Sequence, residues 1–243
     1  MAATDKIPNI FLSFVISFIP FLLIIGCIIK PIDIHGQNDS SKRKFEEALK
    51  INPNDAEAHY NYAILLDSPF LDYKGAKEHF EEALKINPDY SEAHDEYALL
   101  LEVRFSDYSG AKAHFLEALR INPNNALAHN NYANLLVDKF NDKKGAKVHY
   151  EKALEINPQY ATAHYNYANL LDDKFNDKKG AKVHYEKALE INPQDATVHY
   201  NYAILLQDNF NDKEGAKAHY LKATELDASL ITPERDKYFS IKR

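Results

Sequence analysis

Ten of the eleven histidines fall on two repeated positions: His59, His94, His129, His164 and His199, and His79, His114, His149, His184 and His219. Imidazole is a common metal ligand and the side chain that titrates nearest neutral pH, so this ladder could do metal or proton chemistry. Equivalent positions on stacked helices lie about 10 Å apart, too far to share one ion. No carboxylate or cysteine recurs beside them at ligand spacing. The pattern predicts packing histidines and no metal. Protonating all eleven would move the formal net charge from −7 to +4. That swing predicts altered stability or partner choice below about pH 6.

No other constellation carries reaction chemistry. The chain lacks a Gly-rich phosphate loop, a GxSxG elbow and an HExxH helix, and its single cysteine, Cys27, lies in an apolar run. The expectation is a protein that is not an enzyme and takes no cofactor. Nor is there a basic patch: 29 Lys and Arg stand against 36 Asp and Glu, so a nucleic-acid partner is not expected.

The elements that carry these residues repeat. Ile-Asn-Pro opens at Ile51, Ile86, Ile121, Ile156 and Ile191, and Gly-Ala-Lys at Gly75, Gly110, Gly145, Gly180 and Gly215; both series step by 35 residues. A fixed period of this size marks a stacked array and not a single globular core. Within each unit helical spacing occurs twice, as in Ala56, His59, Ala63 and Leu66, then Ala76, Phe80, Ala83 and Leu84. Asn-Pro stops each second helix. Residues such as Asp55 cap the next first helix, Asn141 suits a left-handed turn, Asp142 caps the second helix, and Phe140 is expected to plug the bend. Gly75 and its counterparts permit a tight turn or close helix contact. Tyr62, Tyr97, Tyr132, Tyr167 and Tyr202 fall at an apolar position and belong in the core.

These residues resemble tetratricopeptide repeats, whose pattern runs W-x2-L-G-x2-Y, A-x3-F, P. The first full unit gives His59-x2-Tyr62-Ala63-x2-Leu66, Ala76-x3-Phe80 and Pro88, with His for Trp, Tyr for Leu and Ala for Gly. The resemblance implies an all-α, right-handed solenoid of stacked antiparallel helix pairs. It divides the chain into 1–29 (anchor or signal), 30–39 (linker), 40–53 (half repeat) and five repeats (54–88, 89–123, 124–158, 159–193, 194–228). A capping tail, 229–243, follows, with Thr232 as N-cap, Pro233 at the first helical position, and Tyr238, Phe239 and Ile241 covering the last repeat.

The resemblance also implies a concave groove whose floor comes from the first helices. Its candidate binding residues are Tyr60, Asn61, Asn131, Asn134, Tyr165, Asn166, Asn169, Tyr200 and Asn201. A side-chain amide both donates to a backbone carbonyl and accepts from a backbone N–H, so an asparagine ladder suits an extended peptide. No Lys or Arg occupies the floor, which disfavours the carboxylate clamp for chaperone tails and favours a neutral or basic segment. The expected partner is a protein or peptide. A different reading makes the chain an accessory or assembly-factor subunit that docks through its convex face.

Ile10–Ile29 is an uncharged run of 20 residues. As a helix it would cover roughly 30 Å, the thickness of a bilayer core. Three readings are open: a single-pass anchor, a bacterial-type lipoprotein signal lipidated at Cys27 (Leu23-Ile24-Ile25-Gly26-Cys27), or a cleaved signal peptide. Lys30, Lys42, Arg43 and Lys44 follow the run, which leans towards repeats on the cytoplasmic side. A lipid-anchored or exported chain is the alternative.

Overall fold

The computed structural model describes residues 34–241, with side chains from Asp39 onward. The run Ile10–Ile29 and Cys27 lie outside the described residues, and among those described no helix is long and apolar enough to cross a membrane. The described chain is all helical, in repeating pairs. First helices are α2 (Ala56–Asp67), α4 (Ser91–Phe105), α6 (Ala126–Asp138), α8 (Ala161–Phe175) and α10 (Ala196–Leu205). Second helices are α3 (Tyr73–Ile86), α5 (Tyr108–Ile121), α7 (Lys143–Ile156), α9 (Lys178–Ile191) and α11 (Lys213–Leu226). They are flanked by α1 (Ile34–Ile51) and α12 (Pro233–Tyr238). α1 begins inside the stretch expected as linker. Between Pro31 and Pro53 the chain holds no proline, and Gly36 costs a helix only about 1 kcal/mol. The residues form two compact units, one ending at Leu135 and one starting at Leu136.

The caps explain the repeated glycines. Asp72, Asp107, Asp142, Asp177 and Asp212 open the second helices, each carboxylate accepting from the N–H of the glycine three residues on at 2.9–3.0 Å. A Cβ at Gly180 would lie 2.5 Å from Oδ2 of the capping Asp177, whose Oδ1 accepts the hydrogen bond, and 3.1 Å from Leu171. The glycine therefore makes room for its own cap. First helices are capped less evenly. Asp55, Asn125 and Asp195 accept from first-turn N–H groups, whereas Tyr90 and Tyr160 hold that place without a side-chain cap. At the helix ends, Asn87 of Asn-Pro folds back, its Oδ1 accepting from the N–H of Asp89 at 3.2 Å.

The bend between paired helices needs one left-handed residue. Asn141, Asn176 and Asn211 supply it at φ 51–54°. In the first two repeats Leu71 (φ 57°) and Ser106 (φ 55°) are forced into it. Leu71 is 60 % exposed, so packing does not offset the strain. Leu71→Asn is expected to stabilise the first unit by about 1 kcal/mol. Urea denaturation would show this as a raised midpoint with unchanged slope; an unmoved midpoint would mean that the bend carries no strain. The aromatic beside this turn does not plug it. Phe140 and Phe175 are 38 % and 37 % exposed. Lys147 of the preceding repeat lies 5.5 Å from the Phe175 ring centre, as Lys77 lies 5.3 Å from that of Phe105. A cation over a ring face replaces the expected core contact.

Each repeat junction is an aromatic pair. In the first unit Phe45 stacks on Tyr62 (5.8 Å), Phe80 on Tyr97 (5.7 Å), and Phe115 meets Tyr132 (6.1 Å). The second unit repeats this with Tyr150–Tyr167 (5.9 Å) and Tyr185–Tyr202 (5.8 Å). Buried alanines such as Ala63, Ala76 and Ala98 let the backbones approach, and each pair contributes about 0.5–1.5 kcal/mol beyond its buried area. The second-helix aromatic of one unit thus packs on the first-helix tyrosine of the next, as expected of Tyr62 and its counterparts.

Candidate functional site

The first-helix wall differs between the two units. In the first, Tyr60, Asn61 and Glu96 are half-buried. Asp95 is 2 % exposed, Asn131 6 % and Asn134 2 %. Asn131 Nδ2 donates to Asp95 Oδ2 at 3.5 Å, whereas Asp95 Oδ1 is buried with no hydrogen-bond partner. Burial, the charge of Glu96 and, less, that of Glu92 push the Asp95 carboxyl up to about 7 against the opposing hydrogen bond from Asn131. Glu96 is raised as well, by burial and then by Asp67. Tyr60 packs on Phe80 and Tyr90 at 6.2 and 5.0 Å between ring centres. Its phenol is raised by burial and then by Glu96.

In the second unit Tyr165, Asn166, Tyr200 and Asn201 are buried, and Asn169 is half-buried. Asn201 Nδ2 donates to the Tyr165 hydroxyl at 2.8 Å, and the Tyr185 hydroxyl donates to Asn169. Tyr200 is sealed by Phe239 and by Arg235, whose guanidinium sits 4.9 Å from its ring centre. An asparagine ladder free to grip a peptide backbone is therefore not the arrangement. Asn131 and Asn201 direct their amides to the residue 36 positions earlier, binding one repeat to the one before. The accessible members of the expected wall are Tyr60, Asn61 and Asn169.

The histidines pair, which same-series spacing did not reveal. Nδ1 to Nδ1 distances are 2.8 Å for His59–His79, His94–His114 and His199–His219, and 2.9 Å for His164–His184. The constant offset of 20 residues between the two series was the signal. In each pair the first histidine's Nε2 lies 3.0–3.1 Å from a proline carbonyl, Pro53, Pro88, Pro158 or Pro193. A carbonyl only accepts, so Nε2 carries the proton, Nδ1 accepts, and the second histidine's Nδ1–H donates. Burial lowers His79, His114, His164, His184, His199 and His219, with His184 falling to about 4. A pair takes one proton before its contact breaks. The swing to +4 is therefore not reached while the pairs hold. Among the described residues no group of three metal-ligating side chains forms.

Helix pairs, junction tyrosines and Pro-terminated second helices invite comparison with known proteins. A tetratricopeptide repeat model matches residues 44–74, 114–146, 149–181 and 184–225, more than half of the chain, and a second such model matches 71–126. The chain belongs to the tetratricopeptide repeat family. No curated protein matches it by sequence. Among solved structures, PilF of Pseudomonas aeruginosa is similar at 22 % identity and TM-score 0.73, covering 85 % of this chain and 90 % of that one. YrrB, described as a TPR protein with an unusual peptide-binding site, shares 24 % identity at TM-score 0.59, covering 76 % and 94 %. A chain of the APC/C hetero-tetramer Cut9-Hcn1 shares 14 % at TM-score 0.69, covering 85 % and 40 %. Such identities establish the tetratricopeptide fold. No enzymatic family accompanies it.

Proposed function

We propose that this tetratricopeptide repeat protein is a membrane-tethered interaction scaffold that holds an extended protein segment against its first-helix wall. The observation that supports this most is the face formed by Tyr60, Asn61 and Glu96, polar and aromatic groups that repeat packing leaves only partly covered, with the buried Asp95 beneath them. Its charge is negative, which favours a neutral or basic segment. The tether rests on the uncharged run Ile10–Ile29 in the sequence. A retained anchor places the repeats on the cytoplasmic side; lipidation of Cys27 places them outside. Mass measurement of the N-terminus separates these, since a retained Met1 excludes the lipoprotein form and a lipidated Cys27 excludes the spanning one.

The outer face supports a second reading, docking as an accessory subunit. Val148 and Val183, equivalent positions on α7 and α9, are 60 % and 61 % exposed. Partner capture by the full chain in detergent discriminates the two. Tyr60→Ala with Asn61→Ala is expected to weaken capture at least tenfold, and Val148→Asp with Val183→Asp to leave it unchanged. The opposite result would move the interface to the second helices.

A further inference from the structure

Wall positions 60 and 61 recur as Asp95 and Glu96, Asn130 and Asn131, Tyr165 and Asn166, and Tyr200 and Asn201. Only the second repeat carries carboxylates at both. The fold shows how it treats a buried carboxylate kept for structure. Asp172, at 3 % exposure, pairs with Lys178. Asp95 is as deeply buried, and among the described residues no cation pairs with it. Arg104, the one Lys or Arg of its helix, is engaged elsewhere, with Asp67 at 3.2 Å and with the Tyr73 ring at 4.5 Å. The groups facing Asp95 are Glu96 and Glu92 on its own helix, Asn131 of α6 and Tyr60 of α2. All are acidic or neutral. An acceptor oxygen buried without a donor destabilises the fold, and a residue that breaks the packing rules in this way marks a functional position.

We propose that Asp95, with Glu96 beside it, is the anchor for a lysine or arginine side chain of the bound segment. This rests on the wall reading above. The ammonium or guanidinium supplies the donor that Asp95 Oδ1 lacks and offsets the charges of Glu92 and Glu96. Tyr60 and Glu96, both half-buried, interact with Asp95 from its two sides of the wall, and the tyrosine ring would add a cation–π face. Binding ionises Asp95, so the cation's arrival expels a proton and is favoured as pH rises.

The test uses the full chain in detergent and three capped, fluorescein-labelled decapeptides alike except for a central lysine, norleucine or glutamate. At pH 7.5 the lysine peptide is expected to bind at least tenfold tighter than the norleucine peptide and tighter still than the glutamate one. That preference shrinks several-fold at pH 5.5, where Asp95 is protonated. Asp95→Asn abolishes the preference yet leaves the urea midpoint equal or higher at pH 7.5. Glu96→Gln, a second and less buried variant, reduces it several-fold. If lysine and norleucine peptides bind alike, the anchor is wrong and the wall reading stands. If no peptide binds, both fall. A lower urea midpoint for Asp95→Asn, with peptide preference intact, would make Asp95 a structural residue.

Discussion

Phe239→Ala is expected to lower the stability of the second unit by about 3–4 kcal/mol, the range for emptying a buried aromatic site. Phe239 is 2 % exposed, stacks on Tyr220 at 4.4 Å and 18°, and meets the edge of Tyr200 at 6.3 Å. It occupies the place on Tyr220 that Tyr202 takes on Tyr185, so the tail substitutes for the first helix of a further repeat. The rest of the tail secures it. Thr232 caps α12 through the N–H of Arg235 at 3.2 Å, and the Tyr220 hydroxyl donates to Asp236 at 2.8 Å. A six-residue helix has no stability of its own, so losing Phe239 releases the whole tail and exposes Tyr200 and Tyr220. Deleting residues 233–243 should then cost nearly as much as the point substitution. Hydrogen exchange should rise in α10 and α11 of both variants. An unchanged urea midpoint for Phe239→Ala would show that the last repeat needs no cover.

The tail was legible because its signals are local. Thr232 before Pro233 is a helix start, and an array needs an apolar cover at its end. The same holds for Asp142 as cap and Asn141 in the bend, each set by residues within a turn of itself, while Tyr62 was legible because its apolar position recurs in every unit. What the sequence concealed is set by the stacking of one repeat on another. That Asn201 spends its amide on Tyr165 follows from an approach of two first helices that no residue type announces. Phe140 reads as a plug by composition, yet it stands 38 % exposed beside the bend. Within each histidine series the spacing is long; the short contact runs between the series. Residue type does not distinguish Asp95 from the other polar residues of the first helices; only its burial together with its missing partner does.

The histidine pairs make the fold acid-sensitive. A histidine whose folded pKa lies below its unfolded one binds fewer protons folded than unfolded, so its contribution to stability is complete above the unfolded pKa and is lost as pH falls through the folded one. With unfolded values near 6.5, the window runs from there down to about 4 for His184. Burial is the largest cause, and the partner ring's charge adds to it for His79, His114, His184 and His219. For the half-buried His184 ring the gap, screened by solvent, amounts to about 1–2 kcal/mol at pH 4. Asp95 works in the opposite sense. Its raised carboxyl binds more protons folded than unfolded, so it favours the first unit at acid pH and costs stability as pH rises through about 7. The second unit, which lacks Asp95 and holds two described pairs, should therefore lose stability more steeply between pH 7 and 4.5. Urea denaturation read by hydrogen exchange in each unit separates them. His184→Gln should flatten the second unit's pH slope while lowering its stability at pH 7.5, where the hydrogen bond between the two rings is complete. A slope that the substitution leaves unaltered would assign the acid response to other groups, since no second proton can enter the pair without parting His164 from His184.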